Sequence, residues 1–188
     1  IAYNPAGKLT MSFPRNVGQV PIYYSYKPTG RLYEGDYSEP ATERIYLSKY
    51  RDVANSPLYP FGHGLSYTEF EYSPIDLDKT SFGPGEQIVA SVEITNAGKY
   101  TGEEVVQLYL RDLVGSVTRP VKELRGFAKV LLKPGERATV SFELDEETIS
   151  FWRRDLSYGP EYGDFTIMIG TSSDIYEEEK ISYKKMEK

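Results

Sequence analysis

The chain has 188 residues, a formal net charge of −6, 17 tyrosines, one tryptophan, one histidine and no cysteine. The acidic balance argues against a nucleic-acid partner, because a phosphate-binding surface needs clustered Lys and Arg; the charge itself reads as ordinary solubility. Without cysteine there is no disulfide, thiolate zinc site or thiol nucleophile, and no apolar run approaches the ~18 residues of a membrane span.

The chain enters mid-pattern at IAYNPAGKL, without a Met. Residues 1–73 are dense in Pro, Gly and Tyr, and alternation is brief: Leu9, Met11 and Phe13, then Val20, Ile22 and Tyr24. So much irregular chain cannot easily bury itself. It reads as the closing strand and long C-terminal arm of a domain whose larger part lies elsewhere. In LYPFGHGLSYTEFEYS (58–73), the glycines and proline suit neither a strand nor a helix. A tight loop is expected, its aromatics wedged between two bodies, with Phe61, Tyr59 and Tyr67 filling the seam.

Residues 74–183 have the period of half-buried strands. Ile88, Ala90, Val92 and Ile94 alternate with polar or smaller residues, and Val106, Leu108 and Leu110 share one face opposite Val105, Gln107 and Tyr109. Ala138, Val140, Phe142 and Leu144 point inward, with Arg137, Thr139, Ser141 and Glu143 outward; Phe165, Ile167 and Ile169 share a side. Asn96-Ala97-Gly98, Pro134-Gly135 and Tyr162-Gly163-Asp164 supply turns. FGPGEQIVASVEIT and LKPGERATVSFELD look alike. A shared way of entering a strand, with Pro-Gly presetting a type II turn, explains this more simply than duplication. DEETIS (145–150) predicts one helical turn and YEEEKISYKKMEK a last strand with a frayed end, while Trp152 reads as a core plug rather than a ligand platform. The fold class is mainly β: a fibronectin type III-like (immunoglobulin-like) sandwich preceded by the arm of another domain.

NPAGKLTMSFPRNVGQVPIYYSYKPTGR, LYPFGHGLSYTEFEYS, EVVQLYLRD, SVTRPVKELRGFAKVLLKPGE, ISFW and YGDFTIMIGTSS occur in this order. Together they resemble the C-terminal part of bacterial glycoside hydrolase family 3 enzymes, the β-glucosidases and their relatives. The resemblance covers nearly the whole chain; one departure is Thr10, where the family's GKLP has Pro. It implies a barrel domain, an α/β sandwich domain and a fibronectin type III-like domain. Residues 1–45 would end the α/β domain, 46–73 would bridge, 74–183 would be the fibronectin-like domain and 184–188 a tail. The implied partners are the upstream barrel and α/β domains and a β-glucoside substrate, with no cofactor and with room for a homodimer. LYPFGHGLSYT would then be the crossing point between domains.

Retaining β-glycosidases need two carboxyl groups about 5–5.5 Å apart. In the family these are an aspartate of the barrel domain and, usually, a glutamate of the α/β domain; no residue here matches either motif. Among this chain's own acids, Glu34, Asp36 and Glu39 read as solvated, Asp145, Glu146 and Glu147 as a helix start, and Glu177, Glu178 and Glu179 as a charge run. His63 shows no positioned partner and reads as structural. The polar, aromatic stretch 29–52 is long for a connector, as binding loops often are. Arg31 offers a planar donor fork, and Tyr33, Tyr46 or Tyr50 can stack on a pyranose face. The substrate-binding candidates, on the aglycone side, are Arg31, Tyr46, Lys49 and Tyr50. The competing readings are a self-sufficient carbohydrate-binding module and a structural spacer.

Overall fold

A computed structural model describes residues 3–28, 30–31, 46–50 and 53–185. The strands are β1 (Phe70–Tyr72), β2 (Asp76–Leu77), β3 (Ser81–Phe82), β4 (Ile88–Asn96), β5 (Gly102–Asp112), β6 (Glu123–Leu132), β7 (Arg137–Leu144), β8 (Phe151–Trp152), β9 (Tyr158–Gly159), β10 (Gly163–Gly170) and β11 (Tyr176–Tyr183). One helical turn, α1 (Glu146–Ile149), follows β7.

Two sheets face each other. In the first, β4 pairs with β7 and also with β1 and β2, which together act as one interrupted strand. The second runs β3-β11-β10-β5-β6, antiparallel except for the parallel β3–β11 pair. The core is what period-2 patterning predicts. Ile88, Ala90, Val92, Ile94, Val140 and Leu144 meet Val106, Leu108, Leu110, Phe165, Ile167, Ile169 and Ile181, all buried. Ala138 and Phe142 pack against this cluster from its margin. The first sandwich strand lies at 70–72, within the stretch read as bridge.

The two Pro-Gly-Glu segments make the same turn. Gly85 and Gly135 sit at φ 77° and 75°, where L side chains are strained. The Glu86 and Glu136 amides donate to the Gly83 and Lys133 carbonyls at 3.0 and 2.9 Å. Each glutamate side chain in turn accepts the amide of that same residue, at 3.0 and 2.8 Å. The shared sequence is therefore shared turn chemistry, and the glutamate is part of it.

Asp145 caps α1: its carboxylate accepts the Thr148 amide at 2.9 Å, and Thr148 reciprocates to the Asp145 amide. These bonds hold the Asp145 carboxyl below the usual carboxylate range.

Three sequence expectations give way. The alternation at 9–13 and 20–24 forms no extended strand; Phe13 makes an isolated bridge to Tyr59, while Met11 and Val20 are exposed. Trp152 is not a core plug: it lies 66% exposed on the β8–β9 ribbon, whose buried partner residue is Phe151. Tyr59 and Tyr67 do not fill a seam within this chain, being half to mostly exposed. In the first case, Pro14, Pro21 and a 3-10 turn at Val17–Gln19 interrupt the chain, so the pairing of 9–13 with 58–63 stops at a few backbone bonds.

Candidate functional site

The arm closes over the outer face of β5. The sandwich core uses Val106, Leu108 and Leu110, yet Gln107 and Tyr109 on the opposite face are equally buried. Phe61 stacks on Tyr24 at 4.3 Å between centroids, and both rings meet Tyr109 edge-on, at 6.5 and 5.7 Å. The Tyr109 hydroxyl donates to Gln107 Oε1 at 2.6 Å, and Gln107 Nε2 donates to the Thr171 and Gly62 carbonyls at 2.6 and 3.3 Å. Burial, with Tyr24 and Asp174 nearby, raises the Tyr109 phenol above its usual range, so it stays neutral and donates.

This arrangement explains PFGHG. Gly62 sits at φ 80°, and a Cβ there would lie 2.1 Å from Gln107 Oε1; a Cβ on Gly64 would lie 2.6 Å from the Gly7 carbonyl. The loop ladders onto the arm: Gly62 donates to Leu9 and Leu9 to His63, both at 2.8 Å. His63 is half-buried with its ring beside Tyr59 at 5.1 Å, which is a structural placement.

Further clamps tie the same two bodies. Lys8 Nζ lies 3.0 Å from Glu104 Oε1, with side-chain exposures of 14% and 6%. The Tyr72 hydroxyl donates to the same oxygen at 3.0 Å; burial and then Glu104 push the Tyr72 phenol up. Asn4 accepts the Ser66 hydroxyl and the Tyr67 amide, and donates to the Thr101 carbonyl. At the far end, the Val121 amide donates to the Tyr26 carbonyl, the Leu124 amide to the Tyr24 hydroxyl and the Ser173 amide to the Phe61 carbonyl.

The four sugar-contact candidates come together only in part. The Ser48 amide donates to the Arg31 carbonyl at 2.7 Å, bringing Arg31 beside residues 46–50. Tyr46 is 75% exposed, whereas Lys49 and Tyr50 are half-buried. Tyr50 is committed to the fold: its hydroxyl donates to the Gln19 carbonyl at 2.9 Å and its amide to Asn55 Oδ1 at 3.0 Å. Buried Gln19, which sequence reasoning missed, is the hub of this loop base. It accepts the Arg15 amide through Oε1, and its Nε2 donates to the Ala54 and Ser56 carbonyls. Tyr33, Glu34, Asp36 and Glu39 lie outside the described residues.

The remaining acidic candidates have structural employment. Glu146 accepts the Tyr183 hydroxyl and Glu147 the Tyr158 hydroxyl, and Glu177, Glu178 and Glu179 are exposed on β11. Among the described residues no three His, Asp or Glu gather as a metal site. One charged cluster escaped the sequence reading. Arg119 lies over the Phe151 ring at 4.2 Å and 3.7 Å from Asp112, and its guanidinium bonds Glu123. Burial raises the Asp112 carboxyl above its usual range. The cluster pins loop 113–122, which carries SVTRP.

Residues 104–173 match the fibronectin type III-like domain family. Over 91% of its length the chain is 50% identical to the periplasmic beta-glucosidase of Salmonella typhimurium, covering 22% of that protein. It is 47% identical to a beta-xylosidase of Formosa agariphila, over 90% of the chain and 22% of the relative. The solved beta-glucosidase of Listeria innocua bound to isofagomine superposes with a TM-score of 0.87 at 41% identity, over 97% of this chain and 25% of that one. The chain thus spans about a fifth to a quarter of the relatives it matches. It corresponds to the C-terminal, fibronectin type III-like portion of the glycoside hydrolase family 3 β-glucosidases.

Proposed function

We propose that this chain is the C-terminal portion of a retaining β-glucosidase-type hydrolase acting on β-linked gluco-oligosaccharides or β-glucosides, and that it is inactive alone. Its partners are then the barrel and α/β domains of the same protein, in which the catalytic aspartate and glutamate reside. Residues 1–45 end the α/β domain, 46–73 bridge up to and including the first sandwich strand at 70–72, and 74–183 form the rest of the fibronectin-like domain. The observation that carries this reading is the double burial of β5. One face of the strand builds the sandwich and the other receives the arm, so the arm's position is fixed from the sandwich side. Met11, Phe13, Val17, Leu58 and Tyr59 remain exposed on the arm, which suits a segment whose outer side is covered by the rest of a domain.

In this reading the sandwich acts as a rigid base that presents Arg31 and residues 46–50. Arg31 and Tyr46 lead the contacts on the aglycone side of the pocket, with Lys49 beside them, and Tyr50 holds the loop base through Gln19. The test is kinetic, in the longer polypeptide: Arg31→Ala and Tyr46→Ala should lower kcat/KM on disaccharides about tenfold and leave glucose inhibition unchanged. Unchanged disaccharide kinetics would remove the aglycone role. The second reading, a self-sufficient sandwich module, predicts instead that the 188-residue chain is a complete functional unit.

A further inference from the structure

The sole tryptophan faces solvent. Trp152 and Tyr158 lie opposite each other across the β8–β9 ribbon, with exposures of 66% and 45%. Their centroids are 5.3 Å apart and the rings are tilted by 55°, so the pair presents a bent aromatic surface. The ribbon is anchored from below by Phe151, buried under Arg119. The turn is held by Arg153, whose amide donates to the Ser157 carbonyl at 2.9 Å. The platform is therefore held from below while both rings stay exposed on their outer side.

Its surroundings are polar on both sides of the charge scale. The Tyr158 hydroxyl donates to Glu147 Oε1 at 2.8 Å, which fixes the ring. The phenol is raised by this bond and keeps its oxygen free to accept. Arg154 and Asp155 are exposed in the turn. Aromatic faces ringed by donors and acceptors fit a pyranose: C–H faces stack on the rings while hydroxyls bond the rim. A purely apolar protein contact would have no use for the Glu147 carboxylate on Tyr158 or for the exposed Arg154 and Asp155 of the turn.

We propose that the Trp152–Tyr158 pair is a binding platform for a β-linked glycan chain. The aromatic geometry argues for a sugar; the choice of a β-linked one rests on the hydrolase reading above. Trp152 is its own reporter, because no other tryptophan contributes to the emission of the 188-residue chain. Titration with cello- and xylo-oligosaccharides should change the emission saturably and protect it from acrylamide quenching. Tyr158→Ala should weaken the apparent Kd about threefold to tenfold. Trp152→Ala should abolish retardation in a gel containing soluble β-glucan, with Tm as the control for folding. Lack of a saturable response, equal retardation of wild type and Trp152→Ala, or an equal response to α-linked oligosaccharides of the same length would overturn the proposal. So would sugar-independent protection of Trp152 from oxidative labelling in the longer polypeptide, which would make the pair an internal domain contact. None of these readouts depends on hydrolysis. A platform that responds only to α-linked sugars contradicts the ligand class, whereas loss of the hydrolase reading would show in activity assays alone.

Discussion

Replacing Gly62 by Ala tests the seam at its tightest point. At φ 80° the backbone is left-handed, which costs an L residue about 1–2 kcal/mol. The new Cβ would also lie 2.1 Å from Gln107 Oε1 and 2.8 Å from its amide carbon. Gln107 is a flexible residue type, but here it is 3% exposed and bonded to Tyr109, Thr171 and Gly62. Moving it strands at least one buried polar group, at about 1–3 kcal/mol. The expected total is about 2–5 kcal/mol. Urea denaturation of the 188-residue chain, with amide exchange resolving arm from sandwich, is the assay. Arm amides 8–13 and 58–64 should lose protection while β4 and β7 keep theirs. In the double variant Gly62→Ala/Gln107→Ala the clash is gone, so relative to Gln107→Ala only the backbone cost of about 1–2 kcal/mol should remain. A Gly62→Ala chain within about 0.5 kcal/mol of wild type would refute the reasoning.

Other outcomes follow from the same structure. Lys8→Met leaves Glu104 buried and half-paired and should cost about 3 kcal/mol by chemical denaturation; Lys8→Met/Glu104→Leu should recover most of it. Asp145→Ala should cost about 1 kcal/mol through loss of the cap. Because the folded pKa of Asp145 is lowered from 3.8, its contribution is present above that value and lost as pH falls through the folded pKa. Asp145→Asn should keep much of the cap and flatten the acid limb of a stability–pH curve. Leu156 is 80% exposed at φ 66°, so Leu156→Asn should raise stability by up to about 1 kcal/mol in a thermal melt.

The strands of the sandwich were legible because one face of each is apolar and period 2 survives without context. The capped turn at 145–149 was equally legible, since Asp145 and Thr148 carry their own partners. What the sequence could not separate was a strand face that meets water from one that meets another segment. Gln107 and Tyr109 read as an outer face, yet they are the floor under Phe61 and Tyr24. The clue was indirect: two glycines in PFGHG, which close approach requires. Trp152 misled for a related reason. Large aromatics in a β domain usually fill the core, but here the residue before it, Phe151, takes that place. The run Arg153-Arg154-Asp155 was the signal that the neighbouring chain is solvent-facing. Gln19 left no signal, because a buried glutamine that serves backbone carbonyls looks like any polar loop residue.

The most direct test of the central claim is reconstitution. The 188-residue chain and the remaining polypeptide of the longer protein are purified separately, mixed, and assayed for aryl β-glucoside hydrolysis. The account predicts no turnover by this chain, weak or unstable activity in the other part, and activity regained on mixing that Gly62→Ala impairs. Hydrolysis by the 188-residue chain alone, or full and stable activity of the other part without it, would contradict the account.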